Sequence, residues 1–261
     1  MHPILLSTPW FNVYSYGLLL AIGYTAGTIW IVHEASRDRL PTESVFDMLL
    51  FQLVVGVFGS RVLYILEYAP QLFTPTGIIA VESGGLTYYG AVISSLVFDY
   101  LFLRYMRLPF WRVMDCVGFG LPLGIAFARI GCFLNGCCYG VQCSLPWAVV
   151  FPRNQIPRHP TQLYESVCGL IIFLILQSLR NRRKNYGEVF VASMGLYGFF
   201  RFFIEFWRGD NPIFGLGFTL SQWLGAGMVI GSLVAWRIIG RTQSLRMVPE
   251  AEPLRKEGIR N

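Results

Sequence analysis

Ala128-Arg129-Ile130-Gly131-Cys132-Phe133-Leu134-Asn135-Gly136-Cys137-Cys138-Tyr139-Gly140 is where the chain concentrates groups able to do chemistry. It places an arginine and an asparagine among glycines and cysteines at the end of a long apolar run. An arginine at membrane depth is expensive and needs a partner or a ligand, and glycines beside it let backbone approach what it holds. Further on, Tyr197, Arg201, Glu205 and Arg208 recur at intervals of four, four and three, which puts them on one face of a helix. Arg201 and Glu205 can neutralise each other inside a bundle, or together serve a ligand. Guanidinium groups stay charged when desolvated and grip phosphate in a two-pronged fork. The chemistry expected is therefore anion binding at lipid-headgroup depth, and a phospholipid is the natural phosphate there.

The elements that must position these groups are membrane spans. Of the 261 residues, 54% are hydrophobic and 14% charged, against about 25% charged in a soluble domain. Mean hydropathy is +0.50. The composition predicts an all-α integral membrane protein with a single domain over 1–241 and a polar, disordered cytoplasmic tail over 242–261. A span needs about 20 apolar residues. Seven runs approach that: Val13–Val32, Val45–Leu66, Leu86–Leu103, Val113–Leu134, Leu163–Leu179, Val189–Phe206 and Leu220–Trp236. The first residues lack a basic run and a cleavage site, so no removable signal peptide is expected.

Fifteen basic residues fall on the first, third and fifth connections and the tail, whereas only Arg153, Arg158 and Arg208 fall on the other side. The positive-inside rule then puts the N-terminus outside and the C-terminus in the cytoplasm. The net charge of +6 is accounted for at the cytoplasmic lipid surface, and no nucleic-acid partner is implied. In this topology Tyr16, Arg61, the stretch Gly84–Gly90, Arg129, Asn135, Glu165, Arg201 and Glu205 all fall in the outer leaflet. Arg61 is expected to snorkel towards water, and His159 to serve the loop before the fifth span. Asp99 and Asp115, towards the inner side, are left without an evident task. Cys132, Cys137, Cys138 and Cys143 would face an oxidising compartment. One or two disulfides are the first reading, a free thiolate beside Arg129 the second, and a metal site the third, since the spacing is not a standard zinc pattern. Cys116 and Cys168 are expected to pack as small apolar residues.

The chain resembles the bacterial prolipoprotein diacylglyceryl transferases. Arg129, Gly131, Phe133, Asn135 and Gly136 match that family's signature, Gly-Arg-Ile-Gly-Asn-Phe-x-Asn-Gly-Glu. Arg158-His159-Pro160-Thr161-Gln162-Leu163-Tyr164-Glu165 is similar to its Arg-His-Pro-Ser-Gln-Leu-Tyr-Glu, and Tyr197-Gly198 with Arg201 and Glu205 to its Tyr-Gly-x-x-Arg-x-x-x-Glu. Tyr16-Gly17, and Gly84-Gly85 with Gly90, follow the same order. Three positions depart: Tyr89 stands for a histidine, Cys132 for an asparagine and Cys137 for a glutamate. The resemblance implies transfer of a diacylglyceryl group from phosphatidylglycerol to the lipobox cysteine of a pre-lipoprotein signal peptide, with release of glycerol phosphate, at the bacterial inner membrane with the site towards its outer leaflet. It implies a phosphatidylglycerol site of Arg129, Asn135, Tyr16, Gly131 and Gly136. Its catalytic set would be Arg201, Tyr89, Glu205 and Tyr197, with Glu205 orienting Arg201. Membrane lipids are the other expected partners, and no metal or soluble cofactor is required. The alternative carried beside it is a relative that binds phospholipid without transfer, or that alkylates another acceptor.

Overall fold

The computed structural model describes residues 3–8, 12–80, 84–152, 155–209 and 211–242. The tail expected from 242 onward lies outside them apart from Thr242, as do Trp10, Phe11 and Arg153. Long helices dominate: α1 (Ser15–Arg37), α2 (Thr42–Tyr68), the one-turn α3 (Pro75–Ile79), α4 (Tyr88–Tyr105), α5 (Phe110–Asn135), α6 (Thr161–Leu179), α7 (Glu188–Ile204) and α8 (Leu220–Thr242). Among the described residues, six of these are long and apolar enough to cross a membrane. The seventh expected span, α4, has 18 residues and carries Asp99 and Arg104, which lower its apolarity. Its Asp99 is buried and accepts from Gln52 Nε2 of α2 at 2.6 Å, so it is matched inside the protein and does not meet lipid.

Among the described residues, three two-stranded antiparallel hairpins lie at one end of the helices. They are β1 (Ile4–Ser7) with β2 (Asn12–Tyr14), β3 (Val149–Val150) with β4 (Pro157–Arg158), and β5 (Ile213–Gly215) with β6 (Phe218–Thr219). The first moves the start of the first span from Val13 to Ser15, because residues 12–14 pair as a strand. At this end also lie the start of α1, the end of α5, the start of α6, the end of α7 and the start of α8.

Helix α5 is the pillar. Of its most apolar stretch 44% is buried within the protein, against 11% for α8, so α8 is left facing lipid along most of its length. α5 packs most closely on α1, then on α6 and α7, while α2 and α4 pair with each other and α7 with α8. The α1–α5 contact depends on missing side chains. A Cβ on Gly120 would stand 2.4 Å from Ile31 Cγ1 and 2.6 Å from the Gly27 carbonyl, and one on Gly23 would stand 2.8 Å from the Gly124 carbonyl. Small residues at such crossings let backbones approach, which is how helices associate where lipid offers no hydrophobic drive.

The opposite end is tied by charge. Glu34 pairs with Arg180 and Asp38 with Arg183. Asp115, fully buried, accepts from the backbone N–H of Gly187 at 2.8 Å and of Phe190 at 3.0 Å. It thus caps the first turn of α7 from α5, and Arg183 stands 3.7 Å away. That is the task sequence left open for Asp115. The basic connections are therefore partly consumed in holding helices together.

Gly120→Val should lower the thermal unfolding midpoint of the detergent-solubilised protein, by about 1–3 kcal/mol of overpacking. A midpoint equal to that of the parent would show that α1 and α5 can part without loss.

Candidate active site

Glu165, on the first turns of α6, is almost wholly buried and draws in three arginines. Arg129 Nε of α5 lies 2.8 Å from its Oε2, Arg201 Nη1 of α7 is 3.2 Å from its Oε1, and Arg208 Nη1, just past α7, is 3.1 Å from the same oxygen. A second buried carboxylate, Glu205, lies 3.0 Å from Arg201 and 3.9 Å from Arg208. Thr219 Oγ1 donates to Glu205 at 2.9 Å, and the Asn211 amide also donates to it. Arg201 reaches Ser221 of α8 at 3.3 Å. Helices α5, α6, α7 and α8 thus meet in one cluster of three arginines and two glutamates, with one positive charge in excess.

The excess is presented by Arg129. Among the described residues, its only polar contact is the one from Nε to Glu165, so both terminal amino groups of the fork are left for a ligand. It is also the most exposed of the three, at 22% of its side chain, against 13% for Arg201 and 8% for Arg208. Tyr197 and Cys132 lie close enough to Arg129 to interact with it electrostatically.

The end of α5 is built by a helix-stop motif. Gly136 sits at φ +73°, with its N–H bonded to the Phe133 carbonyl at 3.1 Å and the Cys137 N–H to the Cys132 carbonyl at 3.2 Å. This is the Schellman arrangement, which favours glycine at the left-handed position. Gly136 therefore has a structural task, whatever it offers a lipid. Gly131 likewise faces α1, where a Cβ would stand 3.2 Å from Leu19 Cβ and 3.4 Å from Tyr16 Cα. Asn135 and Tyr16 are both exposed at this end, beside Arg129 and the cysteines. The following backbone is pinned by α6: Gln162 Nε2 donates to the Cys137 carbonyl at 2.5 Å and Thr161 Oγ1 to the Cys138 carbonyl at 2.9 Å.

The six cysteines are free thiols, so the expected disulfides are not formed. Instead, the sulfurs of Cys132, Cys137 and Cys138 lie within 4.8 Å of one another. The spacing that looked unsuited to a shared site is made suitable by the helix stop, which folds the chain back on itself. Cys143 is outside this trio. The Cys137 thiol titrates well below its ordinary value, because hydrogen bonds from Cys132, Cys138 and Asn135 favour its thiolate and Arg129 is close by.

Other expectations change. Arg61 does not snorkel: it is buried to 2% exposure, and its guanidinium donates to the carbonyls of Gly77 at 3.0 Å, Gly84, and Gly85 at 3.3 Å. It fastens the segment between α2 and α4. Tyr89 is the second residue of α4, 44% exposed, on a helix that packs mainly against α2; the arginine cluster belongs to α5, α6 and α7. His159 is buried, 3.2 Å from Tyr164 Oη, and its backbone pairs with Val141, as a structural loop residue would. Sequence alone places Arg208 on the face of Tyr197, Arg201 and Glu205, and Glu165 in the outer leaflet, but gives neither a role in the site. The signal for both was present, in the carboxylate that closes the 158–165 motif and in the i,i+3 step from Glu205.

Beside the cluster, between α6 and α7, a cavity of about 610 Å³ is lined by Trp147, Tyr164, Phe199, Phe203 and Trp207. It is apolar, shares Cys168, Phe200 and Ile204 with a small pocket that reaches Glu165 and Arg201, and is of a size to take an acyl chain or an apolar peptide segment.

A positively biased, partly buried arginine site next to an apolar chamber suits an amphiphilic anion. The family model for prolipoprotein diacylglyceryl transferase matches residues 3–238. The chain belongs to that family. It is 33% identical over 249 residues to the phosphatidylglycerol–prolipoprotein diacylglyceryl transferase of Desulfotalea psychrophila, covering 90% of this chain and 92% of the relative. Like-named proteins of Geobacter sulfurreducens (34% identity; 86% and 92% covered) and Nitratidesulfovibrio vulgaris (36%; 82% and 83%) agree. The protein is thus a multi-pass membrane transferase of lipoprotein biosynthesis.

Removing the shared carboxylate should be severe. Glu165→Gln leaves three guanidiniums facing one another and should cost about 3–5 kcal/mol of stability, read as a lower unfolding midpoint. Glu165→Asp should recover part of it, and a neutral result for Glu165→Gln would contradict the geometry.

Proposed function

We propose that the chain transfers the diacylglyceryl group of phosphatidylglycerol to a lipobox cysteine, with Arg129 as the phosphate-binding residue. The observation that carries this reading is the unengaged fork of Arg129, held at the mouth of a cluster that is otherwise internally paired. The headgroup phosphate would take that fork, with Asn135 and Tyr16 hydrogen-bonding the glycerol. The acyl chains would lie in the apolar chamber between α6 and α7. The acceptor thiol gives its proton to water, its sulfur attacks the glyceryl carbon next to the phosphate ester, the carbon–oxygen bond breaks, and the electron pair leaves on glycerol phosphate. Negative charge grows at that oxygen during the step. Arg129, with Arg201 behind it, would stabilise the growing charge more than the resting ester. Glu205 and Glu165 would fix Arg201, and Tyr197 would border the same charge.

We place the cluster at the outer leaflet. The reading rests on the basic connections, which gather at the other end around Arg112, Arg180 and Arg183, where the positive-inside rule assigns the cytoplasm. Tyr89 is assigned no proton transfer, since its helix pairs with α2 while the arginine cluster belongs to α5, α6 and α7.

In a detergent assay with phosphatidylglycerol and a lipobox peptide, the parent should release glycerol phosphate. Arg129→Ala should lose at least about a hundredfold in turnover, and Tyr89→Phe should stay near the parent. Binding of the lipid without release would return the protein to the lipid-binding alternative. Loss in Tyr89→Phe would give the phenol the role denied to it here.

A further inference from the structure

The three sulfurs at the end of α5 are arranged as a site, and nothing in the paired arginine cluster accounts for them. In a Schellman stop the third residue from the helix end and the second residue beyond it bring their side chains together. Here those residues are Cys132 and Cys137. Cys138 then adopts φ +61°, a left-handed conformation that costs a non-glycine residue energy and persists only where the surroundings impose it. This turn leaves its sulfur 3.6 Å from that of Cys137. The carbonyls of both residues are held by Gln162 and Thr161, so the turn is fixed before anything binds.

We propose that Cys132, Cys137 and Cys138 form a three-thiolate site for a thiophilic divalent cation of the zinc class, with one coordination position left for the thiolate of the acceptor. Zinc–sulfur bonds of about 2.3 Å separate the sulfurs of such a site by about 4 Å. The observed separations, 3.6 Å for one pair and at most 4.8 Å for any pair, bracket that value and need only small adjustments. Thiolate ligands select this class of metal over hard cations. Three thiolates on a divalent ion leave one negative charge, and Arg129 is close enough to Cys132 and Cys137 to offset it. Three protein ligands with an open position are the pattern of a reactive site rather than a purely structural one.

The acceptor half of the proposal rests on the transferase reading. On coordination the acceptor sulfur would lose its proton to solvent and gain a bond to the cation, since a coordinated thiol is deprotonated outright. That sulfur then forms the bond to the glyceryl carbon while the ester oxygen leaves with its electron pair, and the thioether product comes off the cation. No side-chain base is needed. This gives one account of all three departures from the family signature: Cys132 and Cys137 supply ligands, and Tyr89 need not replace a histidine.

The test uses the full chain in detergent, reduced, stripped with a chelator and titrated with Co²⁺. One equivalent should develop sulfur-to-cobalt charge-transfer absorption. Zn²⁺ should displace it, Cys137→Ser and Cys138→Ser should each abolish it, and Cys143→Ser and Cys168→Ser should leave it intact. Cys137 and Cys138 are both partly exposed, unlike the buried Cys132, so these two variants are the ones chosen to keep the fold. Adding the lipobox peptide should intensify the band, and a peptide with serine at that cysteine should not. Absence of the band, its survival in Cys138→Ser, or a Cys132–Cys137 disulfide in the unreduced protein would overturn the site. An unchanged band on adding peptide would overturn the acceptor position. Glycerol phosphate release measured on the same preparation separates these failures from failure of the transferase reading.

Discussion

The structure depends on one buried carboxylate shared by three guanidiniums. Glu165 stands within 2.8–3.2 Å of Arg129, Arg201 and Arg208. Without it, like charges would face each other where water cannot screen them. At 4 Å and an effective dielectric of 20, each such pair would repel by about 4 kcal/mol. Glu205 offsets a second charge, and the two glutamates together leave a single positive charge in excess. The excess appears at the one arginine whose fork has no partner among the described residues. An isolated arginine at this depth would have been driven towards water; Arg129 is instead tethered through its Nε to Glu165.

That constraint explains why so much of the fold converges on one end. Glu165 lies on the first turns of α6, Arg129 near the end of α5, and Arg201 near the end of α7, so these three helices must alternate in direction and share a level. The loop between α5 and α6 is then stitched to both neighbours. Gly140 and Val141 donate to the carbonyls of His159 and Trp207, and Thr161 and Gln162 donate to those of Cys138 and Cys137. The same bonds that fix the arginine ends also fix the cysteine turn. The far end is held by separate ion pairs and by Asp115 capping α7, so the helix ends at the two sides are pinned independently.

Much of this was legible in sequence, and what was missed has a physical reason. Spans are visible because each must satisfy its own backbone in lipid, which forces long apolar runs. The face of Tyr197, Arg201, Glu205 and Arg208 follows from helical period alone. The hairpins are too short to leave a pattern, and a two-residue strand has no alternation to detect. Arg61 read as a snorkelling side chain because its partners are backbone carbonyls of a distant segment, which no residue type announces. Asp115 was opaque for the same reason: it serves the N–H groups of Gly187 and Phe190. Glu165 was visible as an ionisable residue in a span, but its role as common counter-ion required knowing that three helix ends meet.

The cysteine turn shows how a local rule can carry chemistry. Helix stops of this type are common, and the side chains flanking them are usually apolar residues in contact. Here the same backbone geometry brings two sulfurs together, and a third follows from a strained residue. Arg129 lies 2.8 Å from Glu165 and close enough to Cys132 and Cys137 to interact with them electrostatically, so one guanidinium borders both the paired carboxylates and the sulfur trio. Charge placed on either side changes the potential felt on the other. On the proposed roles, a substitution at Arg129 would perturb donor binding and thiol chemistry together, whereas Arg201 touches Glu165 and Cys138 touches Cys137. Comparing those two singly and in combination measures the coupling, because residues that share a charged neighbour depart from additivity. A large coupling energy would mean that donor and acceptor sites are read by the protein as one electrostatic unit centred on Arg129.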